Sequence, residues 1–266
     1  MLASAAKEKK PFFINANICD PHRPFIGNWK KVNAVEPLDG ARLYRPDEVT
    51  VPAFLEDIPR VREEVAQYFS NVSRFDLALG LVMKELTAAG RDEDTVVVFM
   101  SDHGMSFPFS KATIYYNGTW SPVLIRIPSM KELQTRAELV SSVDVMPSVL
   151  ELLDVKPPAG MDGRSWVPLL KGELQPDRDF VITHVNSVSS GKSFAQRCVR
   201  TKDRALMFHA WVGGPDKFRV TERKNLINDP KYSSEVAELS SRLLAHMKKT
   251  DDPQTKVFEA AISTRF

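Results

Sequence analysis

The chain is poor in cysteine: only Cys19 and Cys198 occur in 266 residues. Two thiols cannot make a disulfide scaffold or a cysteine-rich zinc site, and they leave the redox compartment unread. Long apolar runs are missing too. No stretch approaches the roughly 20 residues that a spanning helix needs, so no membrane segment is expected. Neither sign of charge dominates. Lys+Arg at 36 against Asp+Glu at 34 argues against nucleic acid or a membrane surface as a partner. The basic cluster Lys7, Lys9 and Lys10 around Glu8 reads as a short solvated run. Residues 1–10 contain no apolar h-region, so no signal peptide is expected there, and localisation stays open. Internal repeats and low-complexity tracts are absent as well.

What is present suffices for a core. Hydrophobic residues make up 43% of the chain, enough for one large or two small domains. The apolar run Phe12 to Ile18 predicts a buried strand closed by the turn Cys19-Asp20-Pro21. Residues 23–58, with Pro24, Pro37, Pro46 and Pro52, predict a long irregular loop. Val61, Val65, Tyr68, Val72, Phe75, Leu79, Val82 and Leu86 then alternate gaps of four and three, which is one helical stripe, and Gly90 stops it. Thr95 to Met100 is β-branched and apolar on both faces, as parallel strands covered by helices are.

Ser121 to Ile127 predicts another strand. Asp144 can cap a helix carrying Pro147, with Val149, Leu150 and Leu153 as its buried face. From Asp179 the pattern changes. Phe180–Val185 reads as a strand, Ala195–Arg200 and Arg204–Trp211 as a hairpin, and Val236, Leu239, Leu243 and Met247 as the stripe of a final helix. The expectation is an α/β domain over 1–176, its sheet mostly parallel and flanked by helices, then a small α+β subdomain over 177–266.

Ser101-Asp102-His103-Gly104 follows directly on the strand ending at Met100, and His22 lies just past the strand ending at Ile18. Open parallel sheets bind ligands beyond the carboxyl ends of their strands, so the two ends are expected to converge. A carboxylate beside an imidazole can ligate a metal, and a further histidine can protonate a group or hold an anion. Lys111 could offer its charge to an oxyanion. The plainer alternative for Asp-His-Gly is a turn with Asp capping backbone amides.

The ordered set of segments resembles the sulfatase family of the alkaline-phosphatase superfamily. Thr95 to Gly104 is similar to the family's second metal-binding segment, and Phe107-Pro108-Phe109-Ser110-Lys111 to the loop that delivers a basic residue to the sulfate. Phe13 to Pro24 resembles the His-x-Pro-His segment. Residues 65–76, 143–150 and 162–172 resemble three further landmarks. Asp20-Pro21-His22-Arg23, and the Phe-Pro after the metal segment, give the closest flavour to the heparan N-sulfatase (sulfamidase) group.

The resemblance implies hydrolysis of a sulfate ester or sulfamate on a carbohydrate. Asp102 and His103 would bind a divalent metal, calcium in most of the family. His22 and Lys111 would be the catalytic and sulfate-binding residues, and His184, at a strand end, a further substrate contact. The nitrogen of His103 leaves manganese or zinc open, because calcium prefers oxygen. A phosphoesterase or phosphonate hydrolase of the same superfamily, or a non-catalytic binder of an anionic sugar, is the alternative.

Departures are as informative. Position 19 is Cys where the group often has His, position 103 is His rather than Asn, and the stretch before Lys224-Asn225-Leu226 looks shortened. Neither the paired aspartates of the first family strand nor a Cys-x-Pro-Ser-Arg segment occurs, so the chain is expected to be a C-terminal portion lacking the formylglycine nucleophile. Cys19-Asp20-Pro21-His22-Arg23 satisfies Cys-x-Pro-x-Arg, but Pro24 and Phe25 follow where a Leu-Thr-Gly run would, so Cys19 is expected to be an unmodified, buried thiol. Asp251-Asp252 is expected to be solvated, His246 solvent-facing and His209 structural.

Overall fold

In the computed structural model, residues 2–26, 39–130, 132–188, 191, 193–210, 218–219 and 225–264 are described. Part of the expected loop 23–58, the strand end at Trp211 and the landmark at Lys224 fall outside them. The chain forms two compact units. One comprises Met1–Ser101, Met105–Phe109 and Pro122–Leu133; the other Asp102–Gly104, Ser110–Ser121 and Gln134–Phe266. The second unit thus joins two short pieces from the middle of the chain to the continuous stretch Gln134–Phe266.

The first unit holds α1 (Leu2–Lys7), α2 (Pro59–Ala88), β1 (Val97–Met100) and β2 (Val123–Arg126). Proline opens α2, where its missing N–H costs nothing, and Gly90 at φ +64° follows its end. Val65 is fully buried, and packs with Phe25, Val49, Ala66 and Phe107. The expected stripe is only partly the inner face: Val72 and Val82 are exposed, while Ser70 and Asn71 are buried. Both polar residues pin loops. Asn71 Oδ1 accepts the Ile26 amide at 2.7 Å, and Ser70 Oγ accepts that of Tyr44 at 2.9 Å. A buried amide left without a partner would cost about 1–3 kcal/mol, which is why polar side chains occupy this face.

The expected strand and sheet order need correction here. β1 and β2 pair antiparallel, from Val97 opposite Arg126 to Met100 opposite Val123, and the described residues contain no parallel pair. The reason lies in residues 12–18. They join no ladder and residues 13–17 are exposed, Phe13 at 76%, so the buried strand expected there is not formed and nothing stands parallel to β1.

The second unit holds α3 (Tyr116–Thr119), a 3-10 turn (Ser142–Asp144), α4 (Val145–Leu152), α5 (Val167–Leu170), β3 (Val181–Ser187), β4 (Ser193–Arg200), β5 (Ala205–His209), β6 (Phe218–Arg219), a second 3-10 turn (Pro230–Tyr232), α6 (Ser233–Lys249) and α7 (Thr255–Ser263). Its sheet runs β3-β4-β5-β6, every pair antiparallel, with the expected hairpin at its centre. Alternation assigns the two faces of that hairpin. Val199, Leu206 and Phe208 pack on Val236, Leu239, Leu243 and Met247 of α6 and on Phe258 of α7. Cys198, Ala205 and Met207 pack on Ile114 and Tyr115. A surface strand pair would show one dry face; this one has two, which fixes the 110–121 segment on the sheet.

Asp144 is a buried hub rather than a simple cap. Its carboxylate accepts the Ser141 and Arg164 amides at 2.7 and 2.8 Å, the Trp166 indole at 3.3 Å and Arg178 at 2.5 Å. Leu153, expected on the buried face, is exposed, because α4 ends at Leu152 and the chain turns away. Among the described residues no helix is long and apolar enough to cross a membrane.

Candidate functional site

Asp102, His103, Lys111 and His184 belong to the second unit, His22 to the first. Within the second unit His103 Nε2 lies 3.4 Å from Asp102 Oδ2. His103 Nδ1 is 2.7 Å from the Gly104 carbonyl oxygen. A carbonyl only accepts, so Nδ1 carries a proton. Nε2 then faces the carboxylate, where the ring can either donate to Asp102 or, with a lone pair there, share a cation with it. The Asp102 side chain is 84% exposed and that of His103 35%. Among the described residues no group of three His, Cys, Asp or Glu side chains could hold a metal ion.

Backbone packing sets that pair in place. The Gly104 amide donates to Gly118 O at 3.0 Å, and a Cβ on Gly104 would meet Asn117 O at 1.8 Å. A Cβ on Gly118 would meet Ser110 O at 2.3 Å, and Ser110 Oγ donates to Asn117 O at 2.7 Å. Only glycine permits this approach. Lys111 is half-buried in the same knot, just before Ala112 at φ +61°. Ile114, fully buried, seats the loop on the sheet, and Arg200 Nη2 donates to its carbonyl at 3.3 Å.

His22 sits on a tightly bolted turn. Its amide donates to Cys19 O at 2.9 Å, and its Nδ1 is 2.5 Å from Arg23 O, leaving Nε2 as the basic nitrogen. Asp20 bonds Arg74 at 2.9 Å and Asn71 Nδ2 at 3.1 Å; burial raises its carboxyl above the ordinary value despite Arg74. Arg23 reaches Glu64 at 2.6 Å and lies 4.2 Å over the Phe25 ring. Cys19 is in no disulfide and is exposed rather than buried, because it lies outside any strand.

His184 is exposed on β3, opposite Arg197 of β4. His246, expected to face solvent, is half-buried. Burial, then the charges of His184 and Lys249, lower its pKa, against smaller opposing effects of Asp162 and Asp252. His209 is buried in β5, 6.1 Å from the Tyr115 ring. Sequence reading missed Asn71 and Arg74; a polar residue in the middle of an otherwise amphipathic helix was the signal available.

The sulfatase family profile matches residues 1–155. The chain belongs to the sulfatase family. A second profile, described as N-sulphoglucosamine sulphohydrolase, C-terminal, matches residues 102–249. The chain is 27% identical over 271 residues to an ulvan-active sulfatase of Formosa agariphila, a match covering 94% of the chain and 50% of that protein. It is 30% identical over 190 residues to the human N-sulphoglucosamine sulphohydrolase, covering 63% of the chain and 38% of that protein. A Bacteroides thetaiotaomicron structure solved in work on glycosaminoglycan metabolism superposes with TM-score 0.73 at 23% identity, covering 99% of this chain and 60% of that one. The chain thus spans about half the length of the curated relatives it matches. The sulfatase-like α/β class expected from sequence is therefore the fold class observed.

Proposed function

We propose that the chain is the metal- and sulfate-binding portion of an enzyme that hydrolyses sulfate esters or sulfamates of a carbohydrate. The observation that carries the reading is the Asp102–His103 pair, 3.4 Å apart and held by a glycine contact to the loop bearing Lys111. A divalent cation at Asp102 and His103 would supply electrophilic stabilisation of the sulfate oxygens. Calcium is the proposed ion, with manganese or zinc admitted by the imidazole. Lys111, on a loop fixed by Ile114, would hold a sulfate oxygen by charge at no reorganisation cost. His22 would bind sulfate through Nε2 and assist the leaving oxygen; its Nδ1 contact to Arg23 O fixes the ring. His184 is the remaining proposed substrate contact.

No Cys-x-Pro-Ser-Arg segment occurs in these 266 residues, so the nucleophile is proposed to come from outside them. Two names support the substrate class: the human relative is named for N-sulphoglucosamine, and the Formosa relative for ulvan.

The test is turnover of an aryl sulfate by the 266-residue chain, alone and mixed with a sulfatase N-terminal half, in calcium and then manganese. The chain alone should be silent. The mixture should turn over, and Asp102→Ala should abolish it. Robust turnover by the chain alone would show that the nucleophile lies within it. A faster rate on aryl phosphate would replace sulfatase by phosphoesterase.

A further inference from the structure

The same knot carries two aromatic rings that the reading above leaves unused. The Trp120 amide donates to Tyr116 O at 2.8 Å, and this helical spacing puts both side chains on one side of α3. Their ring centroids are 4.8 Å apart and their planes 31° from coplanar. Trp120 is 72% exposed and Tyr116 39%. Large aromatics normally gain their stability from burial, and the adjacent Ile114 and Tyr115 do so against the sheet.

The pair is also held still. Thr119 Oγ1 and the Gly118 amide both donate to Tyr115 O, at 3.1 and 2.9 Å. A cation borders it: the Arg200 guanidinium carbon lies 5.6 Å from the Tyr116 ring centre, held by the bond to Ile114 O. The Gly104–Gly118 bond then ties the whole turn to Asp102 and His103.

We propose that Trp120, braced by its stack on Tyr116, offers its outer face as a platform for a pyranose ring of a sulfated glycan, with Arg200 facing an anionic substituent of that glycan. The inference deepens the proposed function by assigning a subsite beside the sulfate site. Sugar rings present flat C–H faces that pack on aromatic faces, and rigid Tyr and Trp side chains offer such area at small entropic cost. The bordering guanidinium selects an anionic chain over a neutral one.

The experiment is calorimetric titration of the 266-residue chain with a heparin-derived hexasaccharide, with the same hexasaccharide chemically desulfated, and with 4-nitrocatechol sulfate. Trp120→Ala and Tyr116→Ala should each weaken hexasaccharide binding roughly tenfold, on the scale of an aromatic anchor. Both should leave 4-nitrocatechol sulfate binding unchanged, and Trp120→Phe should restore most of the loss. The desulfated sugar should bind more weakly but with the same sensitivity to Trp120→Ala.

If the unaltered chain binds no oligosaccharide, or the alanine variants bind it equally well, the platform is overturned. Sedimentation supplies the other decisive outcome: loss of a dimer in Trp120→Ala with sugar affinity unchanged would make the aromatic face a contact between copies. Failure to bind the aryl sulfate would sink the sulfatase reading alone, because the desulfated sugar still reports on stacking.

Discussion

Asp251 and Asp252 are neighbours with opposite fates. Asp251 is exposed at φ +49°, a conformation Asp tolerates. Asp252 turns inward and takes Arg197 in a two-pronged bond, at 2.5 and 2.9 Å, where the Arg197 side chain is 2% exposed. Sequence reading assigned both to solvent, and Asp252 corrects it: a lone buried guanidinium on β4 demands a partner, and the turn after α6 supplies it. Burial opposes the Asp252 carboxylate, but Arg197, the Gln254 amide and His184 together hold its pKa below the ordinary value. The sign follows. The stabilisation is complete above the unfolded pKa and is lost as pH falls through the lower folded one. Asp252→Asn should therefore cost about 3–5 kcal/mol at neutral pH, since it leaves Arg197 buried and uncompensated. Asp251→Asn should stay within about 0.5 kcal/mol. Urea unfolding of the two variants reads the contrast directly.

At the scale of elements, α6 was legible because Val236, Leu239, Leu243 and Met247 share one side, and all four are buried. Its His246 was not: burial lowers its pKa most, and the next influence, His184, comes from a strand far away in sequence. The lowered pKa of His246 means the unfolded chain takes the proton first. Stability should be level above about pH 6.5, fall as pH drops from there toward the folded pKa, and level again below it. His246→Gln should remove this slope, as seen by comparing urea midpoints between neutral and mildly acidic pH. α2 shows the limit of periodicity more plainly. Its length and ends were readable, yet Ser70 and Asn71 are inside and Val72 outside, because the helix must satisfy the amides of Ile26 and Tyr44 as well as bury apolar area. The candidate site divides similarly. Asp102, His103 and Lys111 were singled out in the sequence from their place after a strand; the glycine contact beside them appears only when residues 104 and 117 are seen together.

For the molecule as a whole, the sheet order was the feature least open to sequence. The β-branched run at 95–100 suggested a strand covered on both faces, but β1 is only half-buried throughout and β2 exposes Leu124. Two-stranded ribbons with apolar, unpaired edges are templates for association. The purified chain should therefore self-associate with rising concentration, and Leu124→Lys should suppress this without lowering the unfolding temperature. Light scattering across a concentration series checks the first point and calorimetry the second.

Ile114 has a bearing on synthesis. Lys111 leaves the ribosome long before Cys198, Ala205 and Met207, the residues that seat Ile114 on the sheet. Until β4 and β5 have emerged and paired, the loop has nothing to dock against, and the contact between Gly104 and Gly118 has no support. The lysine is thus made early and positioned late: its loop stays undocked until β4 and β5 are both out.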